Sequence, residues 1–334
     1  MKLKFGYRAV TEQYPPDQLL DFAVRAEASG FDFICVSDHF HPWFHSRGQA
    51  TFAWVWIAAA AERTRKVHIG TGVTTPLFRY SPGIVAQAFA TLGKMYPGRI
   101  YLGLGTGEAM NEIPLGHPWP DFGERIERFE EAVKVIKMLW KEDFVRFKGK
   151  YYSLKHANLY TRPSKPIPLY IAAAGARAAA VAGKYADAFY TPPADFDHYR
   201  SVLFPALEKG AKEAGRSVDQ IDKMVEITLS YDEDYDVALE STRIWAATLI
   251  PNMVSKPIYD PREIEDLGRK VELEKMKKYL LVCTDLDEIV ATIEDYVDVG
   301  FNLIQIHSSS PDETEFIREF TNALQSLKEQ YATQ

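Results

Sequence analysis

What most restricts the fold of this chain is a rhythm. Short β-branched or aromatic runs alternate with longer helical stretches along its whole length. "KFGYRA" (4–9) reads as a strand, followed by a helix from about Asp17 to Ser29. "FDFICVSDH" (31–39) precedes the helical "TFAWVWIAAAAERT". "KVHIGTGVTT" (66–75) precedes "PGIVAQAFATLGKMY", with a proline where a helix starts. "RIYLGLGTGE" (99–108) leads into the amphipathic "ERIERFEEAVKVIKMLW". "PLYIAAAG" (168–175), "ADAFYTP" (186–192), "KMVEITLSYD" (223–232) and "FNLIQIHSSS" (301–310) continue the series, which ends in "TEFIREFTNALQSLKEQ". Eight βα units in 334 residues predict an α/β fold of the (β/α)8 TIM-barrel type, with a doubly wound sheet as the alternative.

Three stretches interrupt the repeat and are expected to be insertions after strands 4 and 7: about 109–123, 144–163 and 251–284. The middle one reads as a hairpin turning at Lys148-Gly149-Lys150. No linker rich in Gly, Ser or Pro divides the chain, so residues 1–334 are expected to form one domain. A formal charge of -7 argues against nucleic acid as a partner. No stretch approaches the ~20 apolar residues of a membrane-spanning helix, and the N-terminus lacks a signal-peptide core. Cys35 and Cys283 are far apart and in no CxxC, which favours a reducing cytoplasm.

In such a barrel the active site gathers at the C-terminal strand ends. Asp38 and His39 end the second strand, and Gly72-Val73-Thr74-Thr75 the third. Gly105-Thr106-Gly107-Glu108 end the fourth and Ala174-Gly175 the fifth, so these segments should converge on one cavity. "GLGTG" (103–107) is not the full dinucleotide fingerprint and follows the wrong strand; its glycines suit close approach of backbone to a flat ligand. "SDHFHPWFH" (37–45) invites a metal reading through His39-x-His41. Nothing completes the ligand set, since His117, His156 and His307 are scattered, so no metal is expected and a single catalytic His39 is the simpler account.

At this point longer blocks carry a resemblance over essentially the whole chain: "TEQYPP" (11–16), "SDHFHPW" (37–43), "FRYSPGIVAQAFATL" (78–92), "YPGRIYLGLGTGEAMNE" (96–112) and "PLYIAAAG" (168–175). The chain resembles the luciferase-like superfamily and, within it, the dehydrogenases that use coenzyme F420, a deazaflavin. The resemblance implies that His39, Trp43, Glu108 and Glu12 are catalytic. It implies that Asp38, Thr75, Thr106, Gly107, Asn111, Ala174 and Gly175 lie on the coenzyme. Gly72-Val73 matches the family's non-proline cis peptide behind the ring.

Two branches of that family compete, one oxidising secondary alcohols and one glucose 6-phosphate. The sugar-phosphate branch holds its phosphate with two lysines and an arginine. Here only Lys256 matches, while Asp195 and Tyr279 stand at the other two positions, beside Lys277 and Lys278. A phosphate dianion wants Arg forks or several cations, so the alcohol reading leads. The implied chemistry has His39 taking the hydroxyl proton, Trp43 holding the substrate oxygen, and a protonated Glu108 near N1 of the deazaflavin while hydride goes to C5. A homodimer through the second and third helices is also expected. The less favoured readings are an FMN-dependent monooxygenase and a non-catalytic deazaflavin-binding protein.

Overall fold

The computed structural model describes residues 3–250, 253 and 256–332. Eight parallel strands close into a barrel: β1 (Lys4–Ala9), β2 (Phe33–Val36), β3 (His68–Thr71), β4 (Ile100–Leu104), β7 (Leu169–Ala172), β8 (Ala188–Thr191), β9 (Asp222–Tyr231) and β11 (Leu303–Ser308). The predicted (β/α)8 barrel is therefore the observed fold, with all eight predicted strands present. Closure joins the two ends of the chain, since Tyr7 of β1 is in register with Ile34 on one side and Ile306 on the other.

The insertions differ in kind. β5 (Val145–Lys148) and β6 (Ser153–Ala157) form the expected antiparallel hairpin. Its turn is held by one carboxylate: Glu131 accepts from the backbone N–H groups of Lys150, Tyr151 and Tyr152. Residues 109–123 begin with a short helix, Ala109–Glu112. The later insertion carries a helix, Pro261–Arg269, and ends in β10 (Leu281–Cys283), which pairs in parallel with β9. Its Ile264, Met276 and Leu280 pack with Val10, Trp43, Phe44, Met110 and Trp245, roofing part of the barrel mouth.

Local signals explain the helices around the barrel. Ser81 accepts from the Ile84 N–H at the start of Pro82–Met95, and Asp121 accepts from Glu124 at the start of Phe122–Lys141. Gly30 and Gly300 end their helices in the left-handed conformation. Inside the barrel, Phe33, Cys35, Tyr101, Tyr190, Met224 and Leu303 form a packed floor. Gly6 leaves room for it, because a Cβ there would come 2.0 Å from the Phe33 ring. The floor makes the barrel a plugged cup, so that ligands have access only from the C-terminal face.

Candidate active site

A cavity of about 520 Å³ opens at the C-terminal ends of the strands. The predicted Glu12, His39, Trp43, Gly72, Val73, Thr75, Thr106, Gly107, Glu108, Asn111 and Ala174 all line it. β1 leads to Glu12, β2 to His39 and Trp43, β3 to Gly72–Thr75, β4 to Thr106–Asn111, and β7 to Ala174. A larger hollow of about 800 Å³ adjoins it and shares Trp43, but holds neither His39 nor its two carboxylate partners.

The central feature is a line of three ionisable groups. His39 Nδ1 lies 2.9 Å from Glu12 Oε1, and Nε2 lies 3.3 Å from Glu108 Oε2. Glu12 is buried and fixed by Ser37 Oγ and by Thr11 Oγ1, which donates at 3.0 Å. Burial alone would raise the Glu12 pKa, but His39 and Arg8 outweigh it and hold the carboxylate far below its ordinary range. For His39, burial favours the neutral ring, yet Glu12 and Glu108 prevail and raise its pKa above the imidazole norm. Glu108 is raised, by burial first and by Glu12 second, against the pull of His39. Asn111 steadies this end: it donates to Glu108 at 3.4 Å and accepts from the Phe40 N–H at 2.8 Å. One proton can therefore move between His39 and Glu108 while Glu12 keeps its charge.

Three expected residues lie outside the lining. Asp38 was expected on the coenzyme, but its carboxylate is engaged away from the cavity: it accepts from Thr74 Oγ1 at 2.6 Å, Arg79 at 3.2 Å and Tyr80 at 3.3 Å. Asp38 thus braces the loops on either side of His39. Gly175 is the N-cap of helix Ala176–Tyr185, one residue beyond the lining Ala174. Lys256 is exposed and does not reach this cavity. Glu108, expected to work apart from His39, touches it instead.

A second polar group on the cavity wall was missed from sequence. Glu226 Oε2 accepts from Arg8 at 2.7 Å, Tyr190 at 2.6 Å and Gln305 at 2.8 Å, and Oε1 lies 3.1 Å from His307 Nδ1. Arg8 and His307 bring its pKa down to about 2 against the desolvation that would raise it. The available signal was a charged or amide side chain inside an apolar strand run, as in "MVEIT" and "LIQIH". Among the described residues, no group of three or more His, Cys, Asp or Glu is arranged to hold a metal ion, and no helix is long and apolar enough to cross a membrane.

The sequence model of the luciferase-like monooxygenase family matches residues 3–303. The chain belongs to that family. Within the luciferase-like family, an F420-dependent glucose-6-phosphate dehydrogenase from Microbacterium testaceum is 43% identical over 99% of both chains. Another from Mycobacterium avium is 45% identical over 97% of both. Among solved structures, an F420-dependent secondary alcohol dehydrogenase in complex with an F420-acetone adduct superposes with a TM-score of 0.93. It is 42% identical, with 96% of this chain and 98% of that one covered.

The cavity fits a flat ring system. One wall carries only small residues, Gly105–Gly107 and Ala172–Ala174, with Val73 beside them. Gly107 has φ 76, and a Cβ there would come 2.6 Å from Thr75; at Gly105 a Cβ would come 2.5 Å from Val73. The peptide Gly72–Val73 is cis. Hydroxyls of Thr75 and Thr106, the Asn111 amide and the His39–Glu108 pair supply polar groups around it.

Proposed function

We infer that this chain is an F420-dependent dehydrogenase acting on a CH–OH donor, and that the donor is a secondary alcohol. The observation that carries the reading is the Glu12–His39–Glu108 line in a ring-sized cavity. When bound, the deazaflavin supplies a two-electron acceptor for the hydride leaving the carbinol carbon. The protein's own part is proton handling. Glu12 fixes the His39 ring through Nδ1, so Nε2 is the nitrogen that takes the hydroxyl proton. Trp43, buried beside His39, directs the substrate oxygen through its indole N–H. Glu108 retains its proton to higher pH than a free glutamate and can donate where negative charge develops. Thr75, Thr106, Gly107, Asn111, Ala174 and the Gly72-Val73 peptide would hold the coenzyme.

For Glu108→Gln the expected result is slower hydride transfer and a changed pH–rate profile. Glu108 acts only while protonated, so in the wild type its loss of a proton gives an alkaline decline, placed high by the raised pKa. Removing the carboxylate removes that decline. An unchanged profile in stopped-flow assays counts against this role.

The competing reading is a sugar 6-phosphate, favoured by the names of the relatives at 43% and 45% identity. Against it, Asp195 caps its own helix turn through the Asp197 N–H, and Lys277 is paired with Glu274 at 2.6 Å. Bleaching of oxidised F420 by propan-2-ol or by glucose 6-phosphate separates the two. Bleaching by neither, with coenzyme still bound, leaves the non-catalytic binder.

The reading includes a homodimer and a cytoplasmic setting, the latter consistent with two buried free thiols, Cys35 and Cys283. Helices Ala53–Arg63 and Pro82–Met95 are neighbours through Trp54 and Phe89, yet Val55 is 70% and Ile84 53% exposed, with Phe52 and Met95 also uncovered. Light scattering after size exclusion is expected to give twice the 37.9 kDa chain mass, and the double variant Val55→Lys/Ile84→Glu half of that value. A monomeric wild type removes the dimer.

A further inference from the structure

Two histidine–glutamate–tryptophan groups line the same cavity, and only one has been given a task. His39 has Nδ1 against Glu12 and stands beside Trp43, ring centroids 6.3 Å apart. His307 repeats the plan: Nδ1 is 3.1 Å from Glu226, and the ring lies edge-on to Trp245 at 4.8 Å. The second group is held more firmly, because Glu226 is also gripped by Arg8, Tyr190 and Gln305.

A purely structural role accounts for only part of this arrangement. Binding the strands together uses Nδ1 of His307 and leaves Nε2 with no partner among the described residues. In the adjoining Trp245 ring, Nε1 is also buried with no partner among the described residues. Buried polar nitrogens left unpaired are costly, so their persistence at a ligand cavity asks for an occupant. Their chemistry specifies it. Glu226 Oε1 can only accept at Nδ1, so in its neutral form the His307 ring carries its proton on Nδ1 and offers Nε2 as an acceptor. The indole N–H is a donor only. One acceptor beside one donor is the complement of a hydroxyl group.

We propose that His307 Nε2 and Trp245 Nε1 form a second polar subsite that receives a hydroxyl on the carbon next to the reacting carbinol. The substrate is then a vicinal diol or larger polyol in preference to a monofunctional alcohol. The proposal rests on the dehydrogenase reading and narrows its substrate class.

The test compares propane-1,2-diol with propan-2-ol, which present the same secondary carbinol and differ by one hydroxyl. F420 bleaching by the coenzyme-loaded enzyme gives the ratio of their kcat/KM values. The wild-type ratio is expected to favour the diol by about tenfold, as for one added hydrogen bond, and to fall towards one in both Trp245→Phe and His307→Gln. A wild-type ratio near one, or a ratio unmoved in both variants, overturns the subsite. If only a sugar phosphate is oxidised, the same ratio is read from glucose 6-phosphate against its 2-deoxy analogue. Failure of the dehydrogenase reading looks different, since no alcohol or sugar then bleaches F420. In that event the 15N resonances of the His307 imidazole, identified by their loss in His307→Gln, decide. Displacement by the diol and not by propan-2-ol upholds the subsite, and no displacement by either overturns it.

Discussion

His39→Ala is expected to lower kcat by about 10²–10⁴-fold while coenzyme binding is largely kept. The size follows from removing the proposed acceptor of the hydroxyl proton at the moment hydride leaves, with the wall of small residues proposed to hold the coenzyme untouched. Only the neutral imidazole can serve, so the wild-type rate rises with pH as His39 loses its proton. The Glu12 carboxylate raises that pKa against the effect of burial, so the acid limb should lie above the ordinary imidazole value of 6.5. Steady-state bleaching measures kcat, and quenching of coenzyme fluorescence measures binding separately. Near wild-type turnover in the alanine variant ends the assignment of His39 as base. Equal loss of binding and turnover makes it a coenzyme ligand instead.

Glu226→Ala carries the largest expected cost in stability, about 3–5 kcal/mol. The Arg8 and Glu226 side chains are each only 12% exposed, and the carboxylate accepts from several donors at once. Deleting it leaves a guanidinium, a phenol and an amide facing one another without a common acceptor. The double variant Arg8→Met/Glu226→Leu should recover much of the loss, because no unmatched charge remains. The pH dependence has a definite sign. A carboxylate held at about 2, against an ordinary 4.5, contributes fully above pH 4.5 and loses its contribution as pH falls towards 2. Chemical denaturation at neutral pH checks the first expectation. A loss below about 1 kcal/mol, the usual value of an exposed ion pair, means that the group does not hold the barrel together.

Much of this architecture was legible because periodicity and strand-end chemistry are local. Each strand run announced itself as a short β-branched or aromatic stretch, and the polar or glycine-rich residues that follow β2, β3 and β4 marked the open end of the barrel. What was not legible was angular. Asp38 and His39 are adjacent in sequence, and only the fold shows that one carboxylate goes to Thr74 and Arg79 while the imidazole enters the cavity. The Glu108–His39 contact depends on how β2 and β4 are rotated about the barrel axis, which periodicity does not encode. His307 was set aside as scattered because its partner Glu226 is 81 residues away and meets it only when β9 and β11 pair. Lys256 was aligned by neighbouring sequence, but its place is set by the roof insertion, where no strand fixes direction.

The join between the first and last strands has a consequence for how the molecule is made. Arg8 belongs to β1, whereas Gln305 and His307 belong to β11, and the two strands lie side by side. As the chain leaves the ribosome from its N-terminus, β1 must wait for nearly all of the protein to be synthesised before its neighbour exists. Until then β1 has an unpaired edge, and Arg8 has only a partial set of partners. The line of Glu12, His39 and Glu108, proposed to be catalytic, is encoded early, but the wall opposite is encoded last. A nascent chain therefore carries the proposed proton-handling residues long before it has the wall that encloses them, and the β1 edge stays open until the final strand arrives.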